Sequence, residues 1–397
     1  MKAKYIIDLD QLAETARIAK DNADRLGVRL LMALKSFPLP AAFPALLPSI
    51  EGFTCSGLYE AKLARTGLSA SQRHEVHVHA PAYTEDEMEE ICATCSHVVF
   101  NSLSQLARFG AFAREKGCSI GLRINPGFSS ADCLAYDPCC PDSRFGVTWE
   151  ELEALEQLDI LEGLEGLHIH ALCEGYADDF AGMVEKVTEE LRKLLESKPV
   201  LRSLGEGGWI NLGGGEVIND PAFATPRAIA AVRSLKELLH SSFNTHPSTL
   251  DVYIEPSEYM VRYSGYLEAH VLDVIRREKD IAVLDVSGSC HATDLILFKM
   301  KPDVVEPAQA EGGRTTILGC VSCLAGDVLG EYDFAKPLEI GDTVVFGGLG
   351  CYSFAQLSWF NGIRHPDLVL RSKADGERRI LSWNYSDYAR EFGGAAS

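Results

Sequence analysis

The feature that most constrains this chain is a repeated alternation of short apolar runs with stretches of helical spacing. The apolar runs lie near residues 30, 51, 75, 97, 119, 164, 208 and 250. Each but the last is followed by a helical pattern, at 39–47, from Ser56 to about 66, then at 84–94, 102–116, 148–157, 177–197 and 225–240. Before the first run, 10–26 is helical too, with Leu12, Ala16, Ala19 and Ala23 on one face. Ser56 is the expected N-cap of its helix. Eight strand–helix units predict an α/β fold, a closed (β/α)8 TIM barrel, over residues 10–262. Such a barrel gathers the C-terminal strand ends at one mouth, where catalytic side chains sit.

After residue 262 the pattern changes. Residues 265–276 and 280–286 alternate like strands, and apolar runs with Gly-rich turns continue through 315–320, 343–346, 351–357 and 368–371. A second, mostly β domain is expected, made of 263–397 together with the first strand in 1–9. A chain of 397 residues accommodates both cores. The stretch 127–147, rich in Asp, Pro, Ser and Cys, reads as a long loop.

Composition narrows the partners. The formal charge of −20 argues against nucleic acid and suits a small cationic substrate, although solubility alone explains it as well. No apolar run has the length of a membrane span, and the basic start at Met1 leads into no signal-like apolar segment, so the cytoplasm is expected. Twelve cysteines in a chain this long read as reduced, mostly buried thiols. The pairs Cys92/Cys95 and Cys320/Cys323 have zinc-like spacing, but they lie far apart with no other ligand cluster, and no metal is expected.

Several strand ends carry chemistry. The run Leu31–Leu34 ends in Lys35 before prolines 38 and 40; such an amine is either solvated or able to form a Schiff base with a cofactor aldehyde. Strand six ends in His168-Ile169-His170, which alternation puts on one face; the rings suit stacking on a planar cofactor, a metal, or the barrel interior. His77-Val78-His79 has the same spacing and reads as barrel interior. Gly213, Gly214 and Gly215 close strand seven, either as a tight turn or as a backbone cradle for an anion. Glu255 closes strand eight, either solvated or pairing a pyridine nitrogen, with Glu258 just beyond. In the β domain Cys323 can deliver a proton, Asp327 can bind an ammonium group, and the Tyr352 hydroxyl can bind phosphate.

These residues, with the strings Ala33-Leu34-Lys35-Ser36-Phe37, Ser56-Gly57-Leu58-Tyr59-Glu60, Ser143-Arg144-Phe145-Gly146, His170-Ala171-Leu172-Cys173-Glu174, Ser322-Cys323-Leu324-Ala325-Gly326-Asp327 and Phe360-Asn361-Gly362-Ile363, resemble the fold type III pyridoxal-phosphate decarboxylases. That family pairs an alanine-racemase-like barrel with a β domain. The branch resembled is carboxynorspermidine/carboxyspermidine decarboxylase. The resemblance implies pyridoxal 5'-phosphate held by Lys35, with His170 stacked on its ring, Glu255 at its pyridine nitrogen, and Gly213, Gly214, Gly215 and Tyr352 at its phosphate. It implies Cys323 as proton donor and Glu258, Asp294 and Asp327 near the substrate. It further implies a homodimer whose shared sites take Cys323, Asp327 and Tyr352 from the partner chain.

The chain departs from that branch at four places. Glu255-Pro256-Ser257-Glu258-Tyr259 replaces Glu-Pro-Gly-Glu-Ala, and Cys290-His291-Ala292-Thr293-Asp294 replaces Cys-His-Met-Pro-Asp. Glu216 follows the three glycines where histidine is usual, and Cys351-Tyr352-Ser353-Phe354 stands where a His-Tyr-Thr-Met pattern is usual. Diaminopimelate decarboxylases carry Arg where this chain has Glu258, which favours a distal cation on the substrate over a distal carboxylate. The expected reaction is decarboxylation of a carboxylated polyamine. One alternative is a sister decarboxylase acting on the same 3-amino-3-carboxypropyl group carried on another scaffold. Others are a non-catalytic homologue that binds the cofactor or a polyamine, and a metal-dependent hydrolase using His168 and His170.

Overall fold

The computed structural model describes residues 2–68, 74–131, 137–197, 208–243 and 250–394. Residues 132–136, part of the loop expected over 127–147, lie outside the described residues. The chain divides into two compact units, Thr15–Met260 and a discontinuous one of Met1–Glu14 with Val261–Ser397.

The first unit is a closed parallel barrel. Its strands are β1 (Arg29–Ala33), β2 (Gly52–Cys55), β3 (Glu75–His79), β4 (His97–Phe100), β5 (Ser119–Asn125), β6 (Gly166–Ile169), β7 (Trp209–Asn211) and β8 (Asp251–Ile254). Each pairs in parallel with the next, β8 returns to β1 with Tyr253 opposite Arg29, and β4 pairs β5, so no edge is left open. The interior is filled by side chains, with Leu31, Val99, Trp209 and Tyr253 forming a buried cluster. Trp209 fits because β5 and β6 present Gly121 and Gly166 to it; a Cβ at either would overlap the indole. Helices such as Leu103–Glu115 and Ala177–Ser197 bury one apolar face, Leu106, Phe109 and Ala113 in the first, and Val184, Leu191 and Leu195 in the second.

Local details differ from expectation where proline and glycine set the backbone. The helix expected at 39–47 is a 3-10 turn, Pro40–Ala42, followed by Phe43–Leu46. Ser56 is not the N-cap: Gly57 is, and the Ser56 N–H instead donates to Glu60 Oε2 at 2.7 Å. The 148–157 helix shortens to Trp149–Ala154, held by a capping box between Thr148 and Glu151.

The second unit is a nine-stranded sheet. Strand Lys4–Asp8 lies inside it, antiparallel to Gly265–Ile275 and parallel to Asp367–Ser372. Further strands include Asp280–Leu284, Gln309–Cys320, Val328–Phe334 and Thr343–Gly347. The run 351–357, expected as strand-like, contains the 3-10 turn Phe354–Gln356, and short helices at Gly288–His291, Thr293–Phe298 and Tyr385–Glu391 had no counterpart in the sequence reading.

Candidate active site

A cavity of about 350 Å³ opens at the C-terminal strand ends of the barrel. Lys35, Ser56, Arg123, His168, His170 and Glu255 are among its lining residues. With His79 of β3 also on its wall, six strand ends converge on it, β1, β2, β3, β5, β6 and β8, as closure of the barrel requires.

Lys35 follows β1 on a turn whose Ser36 hydroxyl donates to Ala33 O. Its side chain is exposed on the wall of the cavity, where the protein around it displaces part of its water. That desolvation lowers its ammonium pKa; Arg123 pushes the same way, while Glu255 and Glu60 oppose it. Its amine is thus more readily neutral, and nucleophilic, than an ordinary surface lysine.

Glu255 is anchored by Asn211, whose Nδ2 donates to Oε1 at 2.7 Å, and His168 Nε2 lies 3.4 Å from Oε2. Burial would raise its pKa, but His168, His170 and the Thr54 hydroxyl outweigh burial and hold the carboxyl well below the usual carboxylate range. His170 accepts from the Gly214 N–H at Nδ1, 2.9 Å away, and burial keeps the ring neutral, so its proton sits on Nε2. Gly213 and Gly215 have φ of +76° and +98°, and a Cβ at any of the three glycines would overlap the carbonyl of Ile169, Glu255 or Leu172. The Gly213 N–H is bonded to Asn211 Oδ1 at 2.9 Å, so the amides of Gly213 and Gly214 already have protein partners. Glu216, the next residue, is buried; Oε1 has no hydrogen-bond partner, and burial pushes the carboxyl up to about 8.

Two cavity residues were missed from sequence. Arg123 is buried, and desolvation lowers its pKa to about 10. Its Nη1 lies 3.4 Å from both ring nitrogens of His79, and its guanidinium lies over Phe145 at 4.4 Å. His79 in turn stacks on His168, 4.9 Å between centroids. The usable signal for Arg123 was a lone charge inside the apolar strand Ser119–Asn125. His79 was read as barrel interior, and it lines the cavity instead. His168 and His170 join no metal-ligand grouping among the described residues. The grouping that has such spacing is Glu75, His77 and His97, at the opposite ends of β3 and β4, where Arg29 holds Glu75 at 2.9 Å.

The remaining candidates lie in the second unit, except Glu258, which opens a short helix in the first. Cys323 is exposed, and its N–H donates to Asn361 Oδ1 at 2.8 Å. Asp294 accepts from the Ser353 hydroxyl at 3.2 Å, and burial raises its pKa. Tyr352 adopts φ of +52°. Asp327 differs from a carboxylate free to meet a substrate amine. It is buried, with Oδ2 accepting from the Ser287 hydroxyl at 2.6 Å and Oδ1 from the Ser289 N–H at 3.0 Å. It braces the turn at Gly288–His291.

The family described as "Pyridoxal-dependent decarboxylase, pyridoxal binding domain" matches residues 9–262. The carboxynorspermidine/carboxyspermidine decarboxylase of Campylobacter jejuni is 33% identical, with 97% of each chain covered. The carboxyaminopropylagmatine decarboxylase of Synechocystis is 31% identical, covering 98% of this chain and 95% of that one. A crystal structure of carboxynorspermidine decarboxylase complexed with norspermidine, from Campylobacter jejuni, superposes with a TM-score of 0.81 at 31% identity, covering 98% of this chain and 100% of that one.

Proposed function

The chain belongs to the pyridoxal-dependent decarboxylases, and from that premise we propose that it removes the carboxyl group from the 3-amino-3-carboxypropyl end of carboxynorspermidine or carboxyspermidine. It is a carboxy-lyase whose cofactor is pyridoxal 5'-phosphate. The barrel's residues fit that group: a desolvated amine, an anchored carboxylate, a neutral ring, and glycine backbone that a Cβ would fill. The observation that carries the reading is the gathering of Lys35, His170 and Glu255 on one cavity.

Bound pyridoxal phosphate supplies an electron sink for the carbon–carboxyl bond that breaks. Lys35 would hold the cofactor through its amine, and its lowered pKa keeps that amine available as a neutral nucleophile. Glu255, an anchored carboxylate, would keep a pyridine nitrogen protonated, and His170, a neutral ring on the same cavity, would pack on the cofactor. The glycine loop and Tyr352 would hold the phosphate, and the Gly213 and Gly214 amides fix the loop's shape. Cys323 Sγ–H returns a proton to the α-carbon. Glu258 and Asp294 would each offer a carboxylate to the cationic tail, and Asp327 would act on the tail only through the turn it braces.

The site is shared in a homodimer, so that Cys323 of one chain serves Lys35 of the other. The Cys323 loop supports this: Val321, Leu324 and Val328 around it are 40%, 45% and 38% exposed, an apolar surface suited to a partner. The enzyme acts in the cytoplasm, where its eleven described cysteines, all free thiols, stay reduced. A second reading has the same reaction on a guanidine-tailed substrate, favoured by the similar identity to the Synechocystis relative.

The test is an absorbance spectrum of the purified protein, with carbon dioxide recorded on adding carboxynorspermidine, carboxyspermidine or carboxyaminopropylagmatine. A visible cofactor band lost in Lys35→Ala, with carbon dioxide from a spermidine-type substrate, supports the first reading. Carbon dioxide from the agmatine compound alone supports the second. A band with no carbon dioxide from any of the three would overturn both.

A further inference from the structure

His168 is a buried group with no role in the reaction above. It is 2% exposed, and neither ring nitrogen completes an aligned hydrogen bond. Burial lowers its pKa, so the ring is neutral and carries one N–H. A buried donor left without an acceptor is destabilising, so its position beside a carboxylate calls for explanation. The acceptor recorded beside it is Glu255 Oε2, 3.4 Å from Nε2, while Asn211 already takes Oε1. His79 stacks on the His168 ring with planes 14° apart, and Arg123 lies against His79 and over Phe145. The ring is therefore clamped by packing, with its Nε2 edge toward the carboxylate.

We propose that His168 is a positioning residue for Glu255: its Nε2–H fixes the second carboxylate oxygen, and the His79–Arg123 stack fixes the ring. This rests on the decarboxylase reading because Glu255 matters through the cofactor it pairs. The other titratable groups acting on Glu255 are His170, Lys35, Arg123, His79, Glu216 and Cys55. Burial opposes the carboxylate, so losing the His168 donor lets Glu255 take up a proton as the solution becomes mildly acidic. A protonated Glu255 no longer pairs a protonated pyridine, and cofactor affinity falls.

The experiment measures the affinity of the full chain for pyridoxal phosphate at pH 5.5 and 8.5, in wild type, His168→Phe, His168→Asn and His168→Gln. Phe keeps a ring with no donor, Asn places its amide short of Nε2, and Gln reaches it. Relative to wild type, Phe and Asn are expected to bind at least about tenfold more weakly at pH 5.5 than at pH 8.5, which corresponds to a Glu255 pKa lifted to about one unit above the lower pH. Gln is expected to follow wild type at both. A variant-to-wild-type ratio that is the same at both pH values in the folded Phe or Asn protein would overturn the proposal, as would Gln binding as weakly as Phe. If Phe and Asn do not fold, Gln alone decides: the same pH-dependent weakening in folded Gln overturns the proposal, and wild-type behaviour upholds it. Wild type that binds no pyridoxal phosphate at either pH would overturn the decarboxylase reading, and this inference with it.

Discussion

Glu216 shows how one residue can carry a measurable cost. Its carboxyl is ionised in the unfolded chain above about 4.5, but in the fold it stays protonated up to about 8. Between those values unfolding releases a proton, so the stability of the wild type falls as pH rises, by at most about 1.4 kcal/mol per pH unit, and levels off above about 8. Glu216→Gln removes that slope. Urea unfolding of both proteins should show the variant gaining on wild type from pH 5 to 8 and holding its lead beyond. Gly215 is the opposite case, tolerant of nothing larger. With φ of +98° and Leu172 O against it, Gly215→Ala should lose at least about 1 kcal/mol and weaken cofactor binding, read by thermal midpoint with and without pyridoxal phosphate. The sequence offered Gly215 as part of a tight turn or an anion cradle but gave no sign that Glu216 would be buried without a partner for Oε1, because burial depends on what packs around it.

Among the elements, the barrel's rim depends on ties between helices and loops. Asn22, on the helix Leu9–Leu26, is buried; its Nδ2 donates to Ile218 O and Asp220 O at 2.9 and 2.7 Å, and its Oδ1 accepts from the Ala224 N–H. This clamps the segment after the glycine loop. Asn22→Leu leaves those backbone groups without partners and should destabilise the protein by about 1–3 kcal/mol in urea unfolding. The helix itself was legible from the spacing of Leu12, Ala16, Ala19 and Ala23, all buried. The tie was not, because its partners lie about 200 residues away in sequence.

For the whole molecule, the proposed shared site predicts complementation. Lys35→Ala and Cys323→Ala should each be nearly inactive, yet mixing them under conditions that exchange subunits should restore up to about a quarter of wild-type activity, since half the dimers then hold one intact site. Recovery of none, with exchange shown by sedimentation of tagged chains, would place both residues in a site of one chain.

The sequence by itself determined the strand–helix alternation of the barrel, its turn to β structure after residue 262, and the strand-end residues Lys35, His170, Glu255 and the three glycines. These follow from local rules: periodicity, and the chemistry of residues at strand ends. Only the tertiary structure decided which side chains share the cavity. It brought Arg123 and His79 beside His168 and Glu255, bonded the Gly213 and Gly214 amides to Asn211 and His170, and turned Asp327 into a buried brace. Those outcomes depend on barrel closure, which juxtaposes strands far apart in sequence, and on burial, which sets the charge each group can keep.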